Sequence, residues 1–322
     1  MRKRIRNMMA RVALGSVMAV GGVVLVPPAY AAEDDDAAHL SAALAAVPDE
    51  YAVNAANADS LGAEVAEGAP LPVLTPTSDG TGVAITEVSA GLPQSVLSLG
   101  ENRDAVTRDD GTSTVAQQKL DGSVQIITTI ESSAAPTEYS FNLTLPEDAS
   151  LRMNEDGSIV AYSETGAFVA GVHKPWAVDA DGDAVPTHFT IDGNRLTQFV
   201  AHDDTDAYPI VTDPWLGANL YGSVRAANTS QGYVLTTTPT QWGAAHSGVA
   251  NISMWWAHAD EVKNKVPRGY AWSLSLQEQL YCHIAGWPVS ANPSYDLESW
   301  KPYTFWEAQI PSKCLGGYSP GS

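Results

Sequence analysis

Between positions 71 and 215 apolar and polar residues alternate in short runs. Glu138-Tyr139-Ser140-Phe141-Asn142-Leu143-Thr144-Leu145 has an apolar side chain at every second position, and Val124–Ile130 is almost wholly β-branched. A period of two sends successive side chains to opposite faces, so both read as strands. The same pattern predicts strands at Val83–Val88, 95–99, 158–162, Phe168–Val172, 188–191, Arg195–Val200 and 208–211. Their separators are turn-formers: Asp121-Gly122, Asp156-Gly157, Asp181-Gly182 and Asp192-Gly193-Asn194. Short strands set apart by tight turns, with hardly any helical period, predict an antiparallel, sandwich-like β domain over 71–215.

The period changes in the last third. Two more strands are expected at 220–226 and 232–238. Val249, Ile252, Trp255, Ala259, Val262 and Val266 then recur at threes and fours, the spacing of one helix face. Leu276, Leu280 and Ile284 make a second, shorter stripe. This predicts a small α+β module over 216–322, so the chain as a whole is mainly β. Residues 32–70 open with Glu33-Asp34-Asp35-Asp36 and hold few large apolar side chains. Apart from a short helix over 39–47, they are expected to form a disordered acidic spacer.

Residues 1–31 have an order of their own. Arg2, Lys3, Arg4, Arg6 and Arg11 precede an apolar run over 12–26, and Ala29-Tyr30-Ala31 follows. The run falls short of the roughly 20 residues of a membrane span. Basic, apolar, then A-x-A is the order of a secretory signal peptide, with cleavage expected after Ala31. The expected location is therefore extracellular. Removing the leader takes five of the 17 lysines and arginines and no acid, shifting the formal charge from −20 to −25. Such a surface repels nucleic-acid backbones and anionic lipid heads, so neither nucleic acid nor a membrane is expected as a partner. The mature chain is expected to be a monomer that meets an extracellular or cell-wall ligand.

Both cysteines, Cys282 and Cys314, lie in the C-terminal module. In an exported chain with no third cysteine, the pair is expected to form a disulfide. Closing a loop of that length stabilises a fold by roughly 3–4 kcal/mol. The competing reading makes Cys282 a catalytic thiol, which needs Cys314 to stay unpaired.

Several stretches here resemble a known family: "PTQWG" at 239–243, "QEQLYCH" at 277–283, "YDLESWKP" at 295–302, and the late Cys314. Together they are similar to DUF2599, a domain of unknown function in exported bacterial proteins, abundant in actinobacteria. The resemblance covers the last third of the chain and implies a context without a reaction. The stretch "KPWAVDADGDAVPTHFTIDGNRLTQFVAH" likewise resembles β-rich regions ahead of varied C-terminal modules in secreted actinobacterial proteins.

For chemistry, His283 is the leading candidate, with Asp296 and Glu298 as carboxylate partners. A histidine beside a carboxylate is the minimal acid–base pair. Trp300, Lys301, Gln279 and Trp256 are candidate binding residues. The bland alternative has Asp296 capping a turn, Glu298 pairing with Lys301, and His283 bonding a carbonyl. Adjacent Trp255 and Trp256 point about 100° apart on a helix, so one core face cannot hold both; one is expected at the surface. Asp179, Asp181 and Asp183 have a spacing that can wrap calcium. Ala184 and Thr190 stand where a complete loop needs Gly and Glu, and an acidic hairpin turn explains the stretch as well. No other cofactor is expected. No nucleotide-binding or G-x-S-x-G pattern occurs. The leading expectation is a secreted binding or surface-interaction protein. The alternatives are a secreted hydrolase or toxin-like enzyme using His283 with Glu298 or Asp296, and a structural envelope protein.

Overall fold

The computed structural model describes residues 29–48, 59–60, 72–75, 83–88, 91–100, 103–286 and 294–314. The expected signal peptide, apart from residues 29–31, lies outside them, as do Trp287 and most of the expected spacer beyond position 48.

The chain opens with helix α1 (Ala29–Ala46). Short strands β1 (Asp59–Ser60) and β2 (Pro72–Thr75) follow, then β3 (Val83–Val88), β4 (Pro93–Ser98), β5 (Asp104–Arg108), β6 (Thr112–Gln118), β7 (Val124–Ile130) and β8 (Glu138–Thr144). Next come β9 (Ser150–Met153), β10 (Ile159–Tyr162), β11 (Phe168–Val172), β12 (Trp176–Val178), β13 (Thr187–Asp192), β14 (Arg195–Val200), β15 (Ile210–Asp213) and β16 (Trp215–Gly217). The C-terminal module holds β17 (Tyr221–Asn228), β18 (Tyr233–Pro239), α2 (Gln241–Ala245), α3 (Trp255–Lys265), α4 (Leu274–Ala285), β19 (Tyr295–Glu298) and α5 (Trp306–Gln309).

All strand pairings among the described residues are antiparallel. The main path of the large sheet runs β4-β5-β6-β7-β16-β11-β10-β9, and the second sheet runs β13-β14-β8-β3-β2. Alternation does the layering. Val124, Ile126 and Ile130 of β7 and Val172 of β11 face inward and meet Ile85, Phe141, Leu143, Phe189 and Leu196 of the second sheet. That is the sandwich core. Tight turns between strands place a glycine at positive φ, among them Gly111, Gly122, Gly157, Gly182 and Gly193. Asp121 and Asp156 lock theirs by accepting both the N–H and the hydroxyl of Ser123 and Ser158.

The outer face of the large sheet is shared. At one end Leu40, Leu44 and Val47 pack on Val115, Ile127, Trp176 and Val211. The expected helix over 39–47 is therefore present, longer at its start and docked. Residues 32–48 are thus not part of a free spacer, because the i, i+4, i+7 stripe finds an apolar face to cover. At the other end sits the C-terminal module. Its core joins Val160 of β10 and Trp215 of β16 to Leu220, Leu235, Trp242, Leu276, Leu280 and Ile284. Strand β16 straddles the expected boundary at 215/216, so one apolar core crosses it.

The helix expected over 249–266 is broken. Residues Val249–Met254 form a 3₁₀ turn with a non-helical Asn251, and only then does α3 begin. Val249 and Ile252, expected on the core stripe, are exposed as a result. The stripe Leu276, Leu280 and Ile284 is fully buried as expected.

Candidate functional site

One side chain, Trp242, is central to how the module is anchored. Gly171 and Gly217 are register partners on neighbouring strands, next to Val160 across β10, and all three face outward from the sandwich core. The glycine pair leaves a slot that the indole of Trp242 fills. A Cβ built on Gly217 would lie 2.3 Å from Trp242 Cδ2, and one on Gly171 would lie 3.0 Å from its Cη2. Helix α2 holds the indole there. Thr240 caps it by accepting from Gly243 N at 2.8 Å, and Trp242 N donates to Asp121 Oδ2 at 2.9 Å. Gly243 lets the turn approach Leu220, whose carbonyl oxygen would be 2.0 Å from any Cβ. Glu261 on α3 closes the other side, accepting from Leu220 N and Tyr221 N at 2.7 and 2.9 Å and pairing with Lys265 at 2.7 Å. Burial raises the Glu261 carboxyl above its ordinary range.

On the far side of the module lies the seam of α4 and β19. Cys282 on α4 is bonded to Cys314, with Cα atoms 5.6 Å apart. No free thiol remains, so the reading of Cys282 as a nucleophile is excluded. The His283 ring stacks on Tyr295, centroids 5.0 Å apart and nearly parallel. Burial lowers its pKa against the opposing pull of the Asp296 main chain and carboxylate. Burial thus favours the neutral ring. Tyr295 is fully buried, and burial pushes its hydroxyl up to about 12. The carboxylates have other partners. Asp296 Oδ1 accepts from Thr236 Oγ1 at 2.6 Å, and Glu298 pairs with Lys301. Partial burial lowers the pKa of Lys301.

Gln279 is buried and works as a piece of strand edge. Its Oε1 accepts from Glu298 N at 2.8 Å and its Nε2 donates to Glu298 O at 3.1 Å, which fixes β19 against α4. It is a positioning residue with no polar group left for a ligand. Gln279→Ala removes the partner of Glu298 N and leaves Glu298 O with only the Lys301 N–H at 3.3 Å, at a part-buried site. It is expected to cost about 1–3 kcal/mol by urea unfolding, and an unchanged midpoint would show that solvent already satisfies them.

The other candidates separate. Trp255 is buried against Trp306 and Tyr281, with centroids 4.9 and 5.4 Å away. Trp256 stacks on Tyr162 of β10 at 4.7 Å and meets Phe168 at 6.4 Å. Helix α3 thus lies between two packing partners, one for each ring, and the expected surface tryptophan is a contact with the large sheet. Trp300 is half-buried against Gly232 of the β17–β18 hairpin. In the acidic turn, Asp179 Oδ1 accepts from the N–H groups of Asp181 and Asp183 at 3.0 and 2.9 Å. This is the acidic hairpin turn. Among the described residues no group of three or more His, Cys, Asp or Glu side chains is gathered for a metal.

The α4–β19 seam falls inside a recognisable unit. Residues 222–317 match the family described as a protein of unknown function (DUF2599). No curated protein and no solved structure matches the chain. The match begins within β17 and leaves out Gly171, Gly217 and Trp215, so half of the Trp242 slot lies outside the family segment. The DUF2599 match contains the whole α4–β19 seam, the disulfide and the "PTQWG" turn. What sequence reasoning missed is Tyr295 beneath His283 and three buried histidines beside Trp242. Isolated histidines carry no spacing signal, and those three come from separate elements.

Proposed function

We propose that this is an exported binding protein whose C-terminal module presents a surface to an extracellular or cell-wall ligand, with the large sheet as its rigid support. The observation that carries the reading is an apolar group left in solvent around the disulfide-closed segment. Leu274, Tyr303, Phe305 and Ile310 are 66, 50, 61 and 48 % exposed. Tyr303 and Phe305 meet edge to face at 5.6 Å, and Ser275, next to Leu274, donates to the Lys301 carbonyl at 2.8 Å. Clustered exposed aromatics mark interaction sites more often than isolated ones do. The hydrolase reading has less support: His283 is stacked on a ring, while Asp296 and Glu298 are occupied by Thr236 and Lys301.

The test is retention of the purified full-length protein on insoluble bacterial cell-wall polysaccharide. Replacing Tyr303 and Phe305 together by Ser is expected to weaken retention by about tenfold or more, with circular dichroism unchanged. Equal retention of the variant, or none by the wild type, would count against the reading.

A further inference from the structure

Three histidines are linked to the Trp242 slot through His246. His173 follows β11, His246 ends α2 and His258 sits on α3, and all three are buried. The His173 and His246 rings meet edge to face at 4.9 Å, and His246 lies 4.0 Å from the Trp242 ring. Each ring is committed to one neutral form. His173 Nδ1 donates to Lys174 O at 3.0 Å, and His246 Nδ1 donates to Trp242 O at 2.8 Å. His258 Nε2 donates to His246 O at 3.3 Å, which leaves Nδ1 to accept from the Tyr221 hydroxyl at 2.9 Å.

A second proton is poorly accommodated, most clearly on His246. On His246 it lands on Nε2, which is buried and has no hydrogen-bond partner. On His258 it turns Nδ1 into a donor, so the Tyr221 hydroxyl must accept and loses its own buried acceptor. The surrounding charges offer little compensation. Lys174 beside His173 and Lys119 over Trp215 are positive, Lys265 is paired with Glu261, and Asp121 is occupied by Trp242 N. Asp156, which favours a proton on His173, caps Ser158, and the Tyr221 and Tyr295 hydroxyls are neutral.

We propose that this histidine chain is an acid-operated release, which keeps the C-terminal module on the large sheet while the rings are neutral and lets it go when they are protonated. The sign follows from burial. His173 and His258 are lowered from 6.5 to about 4, and His246 is lowered well below its ordinary value. The His173–His246 contact crosses the junction, and its contribution to docking is complete above pH 6.5 and is lost as pH falls toward 4, while His258 adds its share by loosening the module beneath His246.

The experiment follows full-length protein by calorimetry and tryptophan fluorescence from pH 7 to pH 4. A single thermal transition at neutral pH is expected to split in two below a midpoint between 6.5 and 4, with more than one proton taken up. The variant H173N/H246N keeps both Nδ1-type donors and cannot titrate, so its midpoint is expected about one unit lower. An unmoved midpoint, or a wild type that stays unsplit to pH 4, overturns the proposal. If that variant fails to fold, histidine ring signals of the wild type decide. All three rings should stay neutral until the split, and any one titrating near 6.5 in the docked protein overturns it.

Discussion

Alanine at position 217 is expected to lower the stability of the folded chain by about 3 kcal/mol, at the upper end of what overpacking costs. The new methyl carbon would sit 2.3 Å from the indole of Trp242, and neither side can yield cheaply. Gly217 is fixed in β16 between β7 and β11, and Trp242 is held by the Thr240 cap and the Asp121 contact. Trp242→Ala empties the same slot and is expected to cost about 3–5 kcal/mol, as large aromatic truncations in a core do. The two changes should not add. Once the indole is gone the Cβ at 217 has room, so the double variant is expected to be about as stable as Trp242→Ala alone. Urea unfolding of the four proteins gives the coupling. Strict additivity would mean that the ring does not occupy the glycine slot.

Removing the disulfide is the second large change. Cys282→Ser with Cys314→Ser opens a loop of sequence separation 32 and is expected to cost roughly 2–5 kcal/mol. Both sulfurs are buried, so the cost includes lost packing as well as freed chain entropy. The damage should be local at first. Leu276, Leu280 and Ile284 still bind α4 to the core, whereas α5 retains the Trp306–Trp255 contact and the bond from Trp306 N to Glu278 Oε2. Hydrogen exchange should therefore quicken in 299–314 well before β7 or β14. Uniform loosening, or no loss of stability, would mean that the bridge only decorates a segment already held by packing.

Much of this fold was legible from alternation. Val83–Val88, Val124–Ile130, Phe168–Val172 and Arg195–Val200 are strands with the expected bounds, because each has one face or both in an apolar core. Strand β6 was not legible. Thr112-Ser113-Thr114-Val115-Ala116-Gln117-Gln118 has no apolar period, yet six of its seven residues are buried. Its polar groups enter networks that only the fold assembles: Thr114 with Arg108 and Glu87, and Gln117 with Gln125. A hydropathy pattern cannot signal a polar residue that is buried because its partner sits on a neighbouring strand.

The candidate site was legible in part for the same reason. Cysteine count and export context pointed to the bridge, and the Q-L-Y-C-H run put His283 beside it. Gln279 and Trp256 each meet a partner no spacing reveals, the main chain of Glu298 in one case and Tyr162 in the other. Trp242 was visible within "PTQWG" as a resemblance, but its meaning depends on two glycines in strands far earlier and on the register that pairs them.

The central claim is that the DUF2599-like module and the large sheet form one body at neutral pH, joined through Trp242. Calorimetry of the full chain at pH 7, read beside far-ultraviolet strand signal and tryptophan fluorescence, tests it directly. The expected result is one transition, with all three signals changing together and the calorimetric enthalpy equal to the van't Hoff value. Two resolved transitions at pH 7, with tryptophan fluorescence lost before strand signal, would contradict it.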